Sequence, residues 1–116
     1  MSTLSVSNVS DGTTTVGTSY VVNGAAKAWL EASSSASLNN SHNISSGTDN
    51  GTGNYTYSFV SSFSGNWSPS GIVTQNSSYI EYLQTLSAGS GQLRVSSDSG
   101  SPVDSPNAMT IHGDLA

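Results

Sequence analysis

The chain has 116 residues, the size of a single domain. Serine, threonine, asparagine and glycine make up about half of it, and only 8% of the residues are charged, against an average of about 25%. The net charge is −5, with Lys27 and Arg94 as the two cations, which argues against binding to nucleic acid because almost no positive charge is available to displace counterions.

The low apolar content predicts that the chain does not stabilise itself alone. Hydrophobic residues make up 34% of the sequence, and there is no cysteine to form a disulfide or a thiolate metal site. Small apolar cores are marginally stable, so we expect self-association or docking on a larger assembly. No apolar run approaches the roughly 18 residues of a membrane-spanning helix, and no signal peptide is evident, so we expect no membrane insertion.

Residues 1–23 are predicted to form a polar docking or assembly arm. Leu4, Val6 and Val9 can share one face before a turn at Asp11-Gly12. Segments rich in β-branched residues pair readily with an open sheet edge, so the arm could add a strand to a partner. The alternative is an unstructured terminus.

Residues 25–32 present two competing signals. The run Ala-Ala-Lys-Ala-Trp-Leu-Glu-Ala has high helix propensity, and Lys27 and Glu31 have the i, i+4 spacing of a helical ion pair. In a strand, Ala28 and Leu30 would lie on one face and Trp29 on the other. An isolated helix of eight residues is marginal, so propensity alone does not decide between the two.

A β-hairpin is predicted in the middle of the chain. A serine-rich loop at residues 33–40 and a short strand at residues 42–45 precede the turn residues at 49–51, which tolerate positive φ. The alternation that follows places Tyr55 and Tyr57 on one face of a strand and polar residues on the other.

Further strands are predicted at residues 72–74, 79–86 and 93–95 and around Ile111. Residues 63–71 are interpreted as a connection and residues 76–77 as a turn, while the strand at 79–86 is apolar on both faces, which predicts burial on both sides. The total of about seven or eight short strands indicates an all-β fold, either a small β-sandwich or a jelly-roll-like barrel over residues 24–116.

Catalytic, metal and cofactor sites are not expected. His42 and His112 are isolated from any nucleophile motif and are interpreted as strand-surface or packed residues. The segment 49–54 lacks the acidic spacing and the terminal glutamate of a calcium loop, so we interpret it as a plain turn.

The aromatic residues are the most informative side chains for function, because large amphipathic rings serve in cores, in interfaces and in sugar stacking. Residues assigned to the core or to a subunit interface are Trp29, Tyr55, Tyr57, Phe59, Leu83, Val95 and Ile111. Trp67 with its polar neighbours Asn66 and Ser68 is predicted to be an exposed contact for a glycan.

Four segments in this order resemble a known class of protein: Gly24-Ala25-Ala26-Lys27-Ala28-Trp29, the Ser45–Phe59 hairpin with its Asp49-Asn50-Gly51-Thr52-Gly53 turn, Leu93-Arg94-Val95, and Ile111-His112-Gly113-Asp114. Over residues 24–114 the sequence resembles the short tail-fibre-like structural proteins of tailed bacteriophages of marine and cyanobacterial hosts. The resemblance implies a non-enzymatic, all-β, homotrimeric virion component. It also favours a strand over a helix at residues 25–32, and we therefore predict a strand there.

From this resemblance we expect a virion protein made in the host cytoplasm, with other virion proteins and a host-surface glycan as partners. The alternative is a capsid decoration or cement protein that uses its arm to clamp the shell. A secreted carbohydrate-binding module is a third interpretation, weakened by the lack of a signal peptide.

Overall fold

The computed structural model describes residues 1–65, 67–73 and 78–116. Within these residues the chain forms ten strands and one short helix. In chain order they are β1 (Asn8–Ser10), β2 (Thr15–Gly17), α1 (Thr18–Gly24), β3 (Ala28–Ala32), β4 (Leu38–His42), β5 (Ile44–Asp49), β6 (Asn54–Phe59), β7 (Ser68–Val73), β8 (Tyr79–Leu86), β9 (Ser90–Ser97) and β10 (Asn107–His112).

Eight of the strands form two four-stranded antiparallel sheets. Sheet I has the order β4-β3-β10-β7 and sheet II the order β5-β6-β9-β8. The inner faces of both sheets contribute to one apolar core. The prediction of a small all-β sandwich is confirmed, and the strands form two separate sheets rather than a barrel.

The competing signals at residues 25–32 resolve in favour of the strand. In β3, Ala28, Leu30 and Ala32 are buried, whereas Trp29 and Glu31 between them are exposed. This period of two matches a strand with one face on the core, and the burial of three apolar side chains outweighs the helical propensity of an isolated eight-residue segment.

The predicted hairpin is formed by β5 and β6. The Asp49 carboxylate accepts a hydrogen bond from the Gly51 amide at 2.9 Å, which closes the turn. Gly53 has φ +63° and lies so close to the Val95 carbonyl that a Cβ would overlap it. The alternation in β6 buries Tyr55 and Tyr57 completely, as predicted.

The chain crosses from sheet I to sheet II at Asn43, where a single strand at residues 42–45 was expected. Asn43 has φ +57°, a left-handed conformation that asparagine tolerates better than most residues. Its side-chain oxygen accepts the Ser61 amide at 2.7 Å, and its side-chain nitrogen donates to the Ser61 carbonyl at 3.1 Å. The prediction of one strand is therefore wrong, because this residue turns the chain between β4 and β5.

Two buried tyrosines satisfy their hydroxyl groups inside the sandwich. The Tyr57 hydroxyl donates to Asn107 Oδ1 at 2.8 Å, and the Tyr55 hydroxyl donates to the Ser34 carbonyl at 3.0 Å. Burial raises the pKa of Tyr55 to about 12 and raises the pKa of Tyr57 further. Both residues therefore stay neutral and act as structural hydrogen-bond donors.

Three other expectations about the strands need correction, two on where they begin and one on burial. The strand β4 begins inside the predicted serine-rich loop, and β7 begins at Ser68 inside the predicted connection. On β8, Ile80 and Tyr82 are 53% and 50% exposed, so this strand is not buried on both faces. The predicted turn at residues 76–77 lies outside the described residues.

Residues 1–24 lie beside the sandwich and contain no buried side chain. The strands β1 and β2 pair as a hairpin, and α1 follows directly, with the Thr18 amide donating to the Ser7 carbonyl at 2.9 Å. The helix was not expected, because its Tyr-Val-Val run has low helix propensity. Leu4, Val6 and Val9 are all exposed.

Candidate ligand-binding face

The outer face of sheet I carries an exposed tryptophan. Trp29 is 37% exposed, and its neighbours in β3 point into the core. The strand register places Trp29 opposite Thr110 of β10, and Thr110 opposite Ser70 of β7. On the other side of Trp29 the register partner is His42 of β4. A row across four strands therefore presents one large ring flanked by polar side chains.

A groove of about 390 Å³ runs beside this tryptophan. Its outward-facing walls come from Trp29, Ser70, Ala108 and Thr110, with contributions from Gly71. The side chains of β7 and β10 in this region are small, so they leave space next to the indole ring that larger residues would fill. The groove follows from the pairing of three strands that are distant in sequence.

The chemistry of the groove is that of an uncharged amphipathic surface. The indole ring offers an apolar face, and the hydroxyl groups of Ser70 and Thr110 can donate and accept hydrogen bonds. The side chains that line the groove carry no charge. Such a surface suits a ligand with an apolar face and several hydroxyl groups, and it lacks the means to activate a nucleophile.

The predicted contact at residues 66–68 is not supported as an exposed site. Trp67 is only 5% exposed, and its indole nitrogen donates to the Ser87 carbonyl at 2.8 Å. Its ring packs edge-on against Phe59, with a centroid distance of 5.4 Å. The prediction is wrong for Trp67 because one hydrogen bond satisfies its polar atom and allows burial; Ser68 is exposed and Asn66 lies outside the described residues.

Most of the predicted core residues lie in the core. The residues of this set that are buried are Tyr55, Tyr57, Phe59, Val95 and Ile111. Leu83 is partly buried and packs against them. Trp29 lies outside the core, because the alternation that buries Ala28 and Leu30 turns its ring outward, and its assignment to a subunit interface stays a prediction. The alternation of buried and exposed positions in β3 could already be read from the sequence.

The groove residues of β7 and β10 were missed. Since Ile111 was assigned to the core or to a subunit interface, its neighbour Thr110 could have been placed on the opposite face of the strand. What no local pattern reveals is that β10 pairs with both β3 and β7, which brings Thr110 beside Trp29 and Ser70.

Other kinds of site find little support in the part of the chain that the structure describes. No group of three or more histidine or acidic side chains that could hold a metal ion occurs among residues 1–65, 67–73 and 78–116. Over the same residues, no helix has the length and apolar character needed to cross a membrane. The prediction that the chain is not an enzyme stays a prediction.

Comparisons with models of protein families, with curated proteins and with solved structures each found no match. The groove beside Trp29 is therefore the feature of this chain on which a function can be proposed.

Proposed function

We propose that this chain is a structural protein of a bacteriophage virion, of the tail-fibre-like kind, that contacts glycans on the host surface through the groove beside Trp29. The observation that carries the proposal is the exposed indole ring next to an open, uncharged groove with hydroxyl groups along it. The virion setting is supported by the sequence resemblance over residues 24–114. In this proposal the chain binds a glycan and catalyses no reaction.

Sugar recognition fits the physical chemistry of this groove. The C–H groups on one face of a pyranose ring pack on an indole ring, and the sugar hydroxyls exchange hydrogen bonds with side chains such as Ser70 and Thr110. A single shallow site of this kind binds weakly. Assembly as a homotrimer, which we include in the proposal, would present three grooves together and raise the avidity without any new contact.

The test is binding of the Trp29→Ala variant to an array of bacterial envelope polysaccharides. We expect at least a roughly tenfold loss of affinity for whichever glycan the wild-type chain binds, because the stacking surface is removed. The matched control is Tyr20→Ala, which removes a more exposed ring from α1, outside the groove. Equal binding by the wild type and Trp29→Ala would contradict the proposal.

Tryptophan fluorescence gives an independent measurement. The chain has two tryptophans, of which Trp29 is exposed and Trp67 is buried. Acrylamide should quench mainly Trp29, and a bound glycan should protect it from quenching. If a bound glycan left the quenching of Trp29 unchanged, the glycan would lie elsewhere.

A second candidate function is capsid decoration, favoured by the architecture of residues 1–24. This arm forms its own hairpin and helix, buries no side chain and exposes Leu4, Val6 and Val9. An isolated two-stranded hairpin is marginally stable in water, so a partner surface would stabilise it. Several hundred copies per particle would indicate decoration of the head, and a few tens would indicate a position in the tail.

The homotrimer is tested by sedimentation equilibrium of the full chain and of a variant that lacks residues 1–24. We expect a trimer for the full chain. A monomer at micromolar concentration that unfolds cooperatively would contradict the oligomer, and a trimer that persists without the arm would assign the contact to the sandwich.

A further inference from the structure

A buried carboxylate lies at the side of the sandwich where β7 and β8 approach each other. Glu81 projects from the inner face of β8, where its register partner in β9 is Val95. Both oxygens of its carboxylate are shielded from solvent, and neither has a hydrogen-bond partner among the residues that the structure describes. An ionisable group without a partner in an apolar interior is costly, so this position calls for an explanation.

Glu81 forms part of the wall of a cavity of about 210 Å³. The apolar part of the wall comes from Leu83, Leu93 and Met109. The cavity shares Gly71 and Met109 with the lining of the groove beside Trp29, whereas Glu81 lines only the cavity. Its volume is below the roughly 300–1,000 Å³ of pockets for drug-sized ligands, so it suits a group about the size of one side chain.

A glycine makes room for the carboxylate. Gly71 of β7 faces Glu81, and a Cβ at this position would overlap Glu81 Oε1. The carboxylate therefore occupies a notch in the backbone of β7, at the margin of the cavity. Rotation about its side-chain torsions would move it from the notch into the cavity.

No cation reaches this carboxylate from the described part of the chain. The groups that line the cavity from β7, β9 and β10 are uncharged. The Tyr57 hydroxyl is within electrostatic range but donates to Asn107. Arg94 bonds to Gln84, and Lys27 bonds to backbone carbonyls near the end of α1. Desolvation consequently raises the pKa of Glu81 to about 7.

A divalent metal ion is a poor occupant for this cavity. Calcium takes six to eight oxygen ligands, whereas Glu81 supplies a single carboxylate here. The described residues contain no group of three metal-ligating side chains. The other walls are apolar, so an occupant must bring both a positive charge and an apolar part.

We propose that the cavity beside Glu81 binds a guanidinium group carried on an apolar stem. Two bare carboxylate oxygens match the paired N–H donors of a guanidinium, which binds carboxylates in a bidentate manner. The leucine and methionine side chains can pack against the stem. The same chemistry is carried by an arginine side chain of a partner protein and by a free alkylguanidinium.

The test is an NMR titration of the full chain labelled with ¹³C at the glutamate carboxyl carbons. The chain contains two glutamates, so the spectrum has one signal from Glu81 and one from the exposed Glu31 as an internal reference. The probes are N-acetyl-arginine amide, butylguanidinium, N-acetyl-lysine amide and N-acetyl-citrulline amide. The citrulline probe has nearly the shape of the arginine probe but no charge.

We expect the arginine probe to shift the Glu81 signal in a saturable way and the citrulline probe to leave it unchanged. The lysine probe should bind more weakly, because an ammonium lacks the planar pair of donors. Tighter binding of the arginine probe than of butylguanidinium would assign the ligand to a protein side chain, and the reverse order to a small molecule. Binding should weaken from pH 8 to pH 5, since protonation removes the charge of the carboxylate.

Two variants complete the test. Glu81→Gln should abolish binding, whereas Glu31→Gln, at the exposed glutamate, should bind as the wild type does. Gly71→Ala fills the notch and pushes the carboxylate toward the cavity, so binding should be retained. If Glu81→Gln failed to fold, the citrulline control and the pH dependence would still decide the outcome in the wild type.

The proposal would be overturned by an equal response to the arginine and citrulline probes, or by binding that persists in folded Glu81→Gln. Absence of any shift at about 10 mM arginine probe, where a millimolar ligand is about 90% bound, would also overturn it. None of these results depends on glycan binding at Trp29, so the two proposals can fail separately.

Discussion

The chain has two tryptophans and two glutamates. One of each lies on the outer face of sheet I, and the other of each lies in the interior between the sheets. Trp29 and Glu31 lie two residues apart on the exposed side of β3. Trp67 is buried in the core, and both carboxylate oxygens of Glu81 are buried. The comparison shows that residue type does not decide the role of a large or charged side chain; the space and the partners around it do.

The largest expected difference between the two regions is in the contribution of their tryptophans to stability, which replacing each by alanine measures. Trp67→Ala should lower the free energy of unfolding by about 3–5 kcal/mol, because it leaves a cavity among Phe59 and Phe63. Trp29→Ala should cost less than about 1 kcal/mol, since its ring is on the surface. Urea denaturation measures both. Equal losses would mean that the two rings are packed alike.

The two glutamates should also differ in how they make the stability of the fold depend on pH. The folded-state pKa of Glu81, about 7, lies above its ordinary value of 4.5, so the folded state holds this proton more tightly than the unfolded state. Its contribution to stability is therefore fully present below pH 4.5 and is lost as the pH rises through 7. The loss amounts to roughly 3 kcal/mol, because the pKa rises from 4.5 to about 7 on folding.

We expect Glu81→Gln to remove this part of the pH dependence, and Glu31→Gln, on the exposed face, to retain it. Thermal or urea unfolding at pH 5 and pH 8 measures the difference for the wild type and both variants. A wild-type slope that survives in Glu81→Gln would assign the titration to another group.

A smaller effect is expected from a single interior hydroxyl. Tyr57→Phe keeps the ring but leaves Asn107 Oδ1 without its donor, which should cost about 1–3 kcal/mol. The neighbouring change Thr56→Ser, on the opposite face of β6, should be nearly silent. Urea denaturation at one pH is sufficient. A silent Tyr57→Phe would mean that water or another donor replaces the hydroxyl.

Local alternation accounts for much of what could be predicted about the fold. The pattern in β6 predicted that Tyr55 and Tyr57 face the core, and once β3 was taken as a strand, its pattern placed Trp29 opposite Ala28 and Leu30. These predictions succeed because the side-chain period of a strand is a property of consecutive residues. The same property could have placed Trp29 outside the core.

Features that depend on distant residues could not be predicted in this way. Trp67 is buried because Gly91 and Gly113 leave room for it and because the Ser87 carbonyl accepts a hydrogen bond from its indole N–H. Glu81 is buried because Gly71, on another strand, leaves room for its carboxylate. The groove beside Trp29 exists because β10 lies between β3 and β7. Each of these depends on strand pairing or sheet packing that the sequence alone does not reveal.

The separation of the arm from the sandwich has a consequence for proteolysis. Trypsin cleaves after lysine and arginine, so it has two sites here, Lys27 at the entrance to β3 and Arg94 in the middle of β9. Arg94 is in register with strands on both sides, whereas Lys27 follows a segment with no buried side chain. A brief digestion should therefore excise the first 27 residues and spare the remainder, so the protease separates the two parts at a single bond.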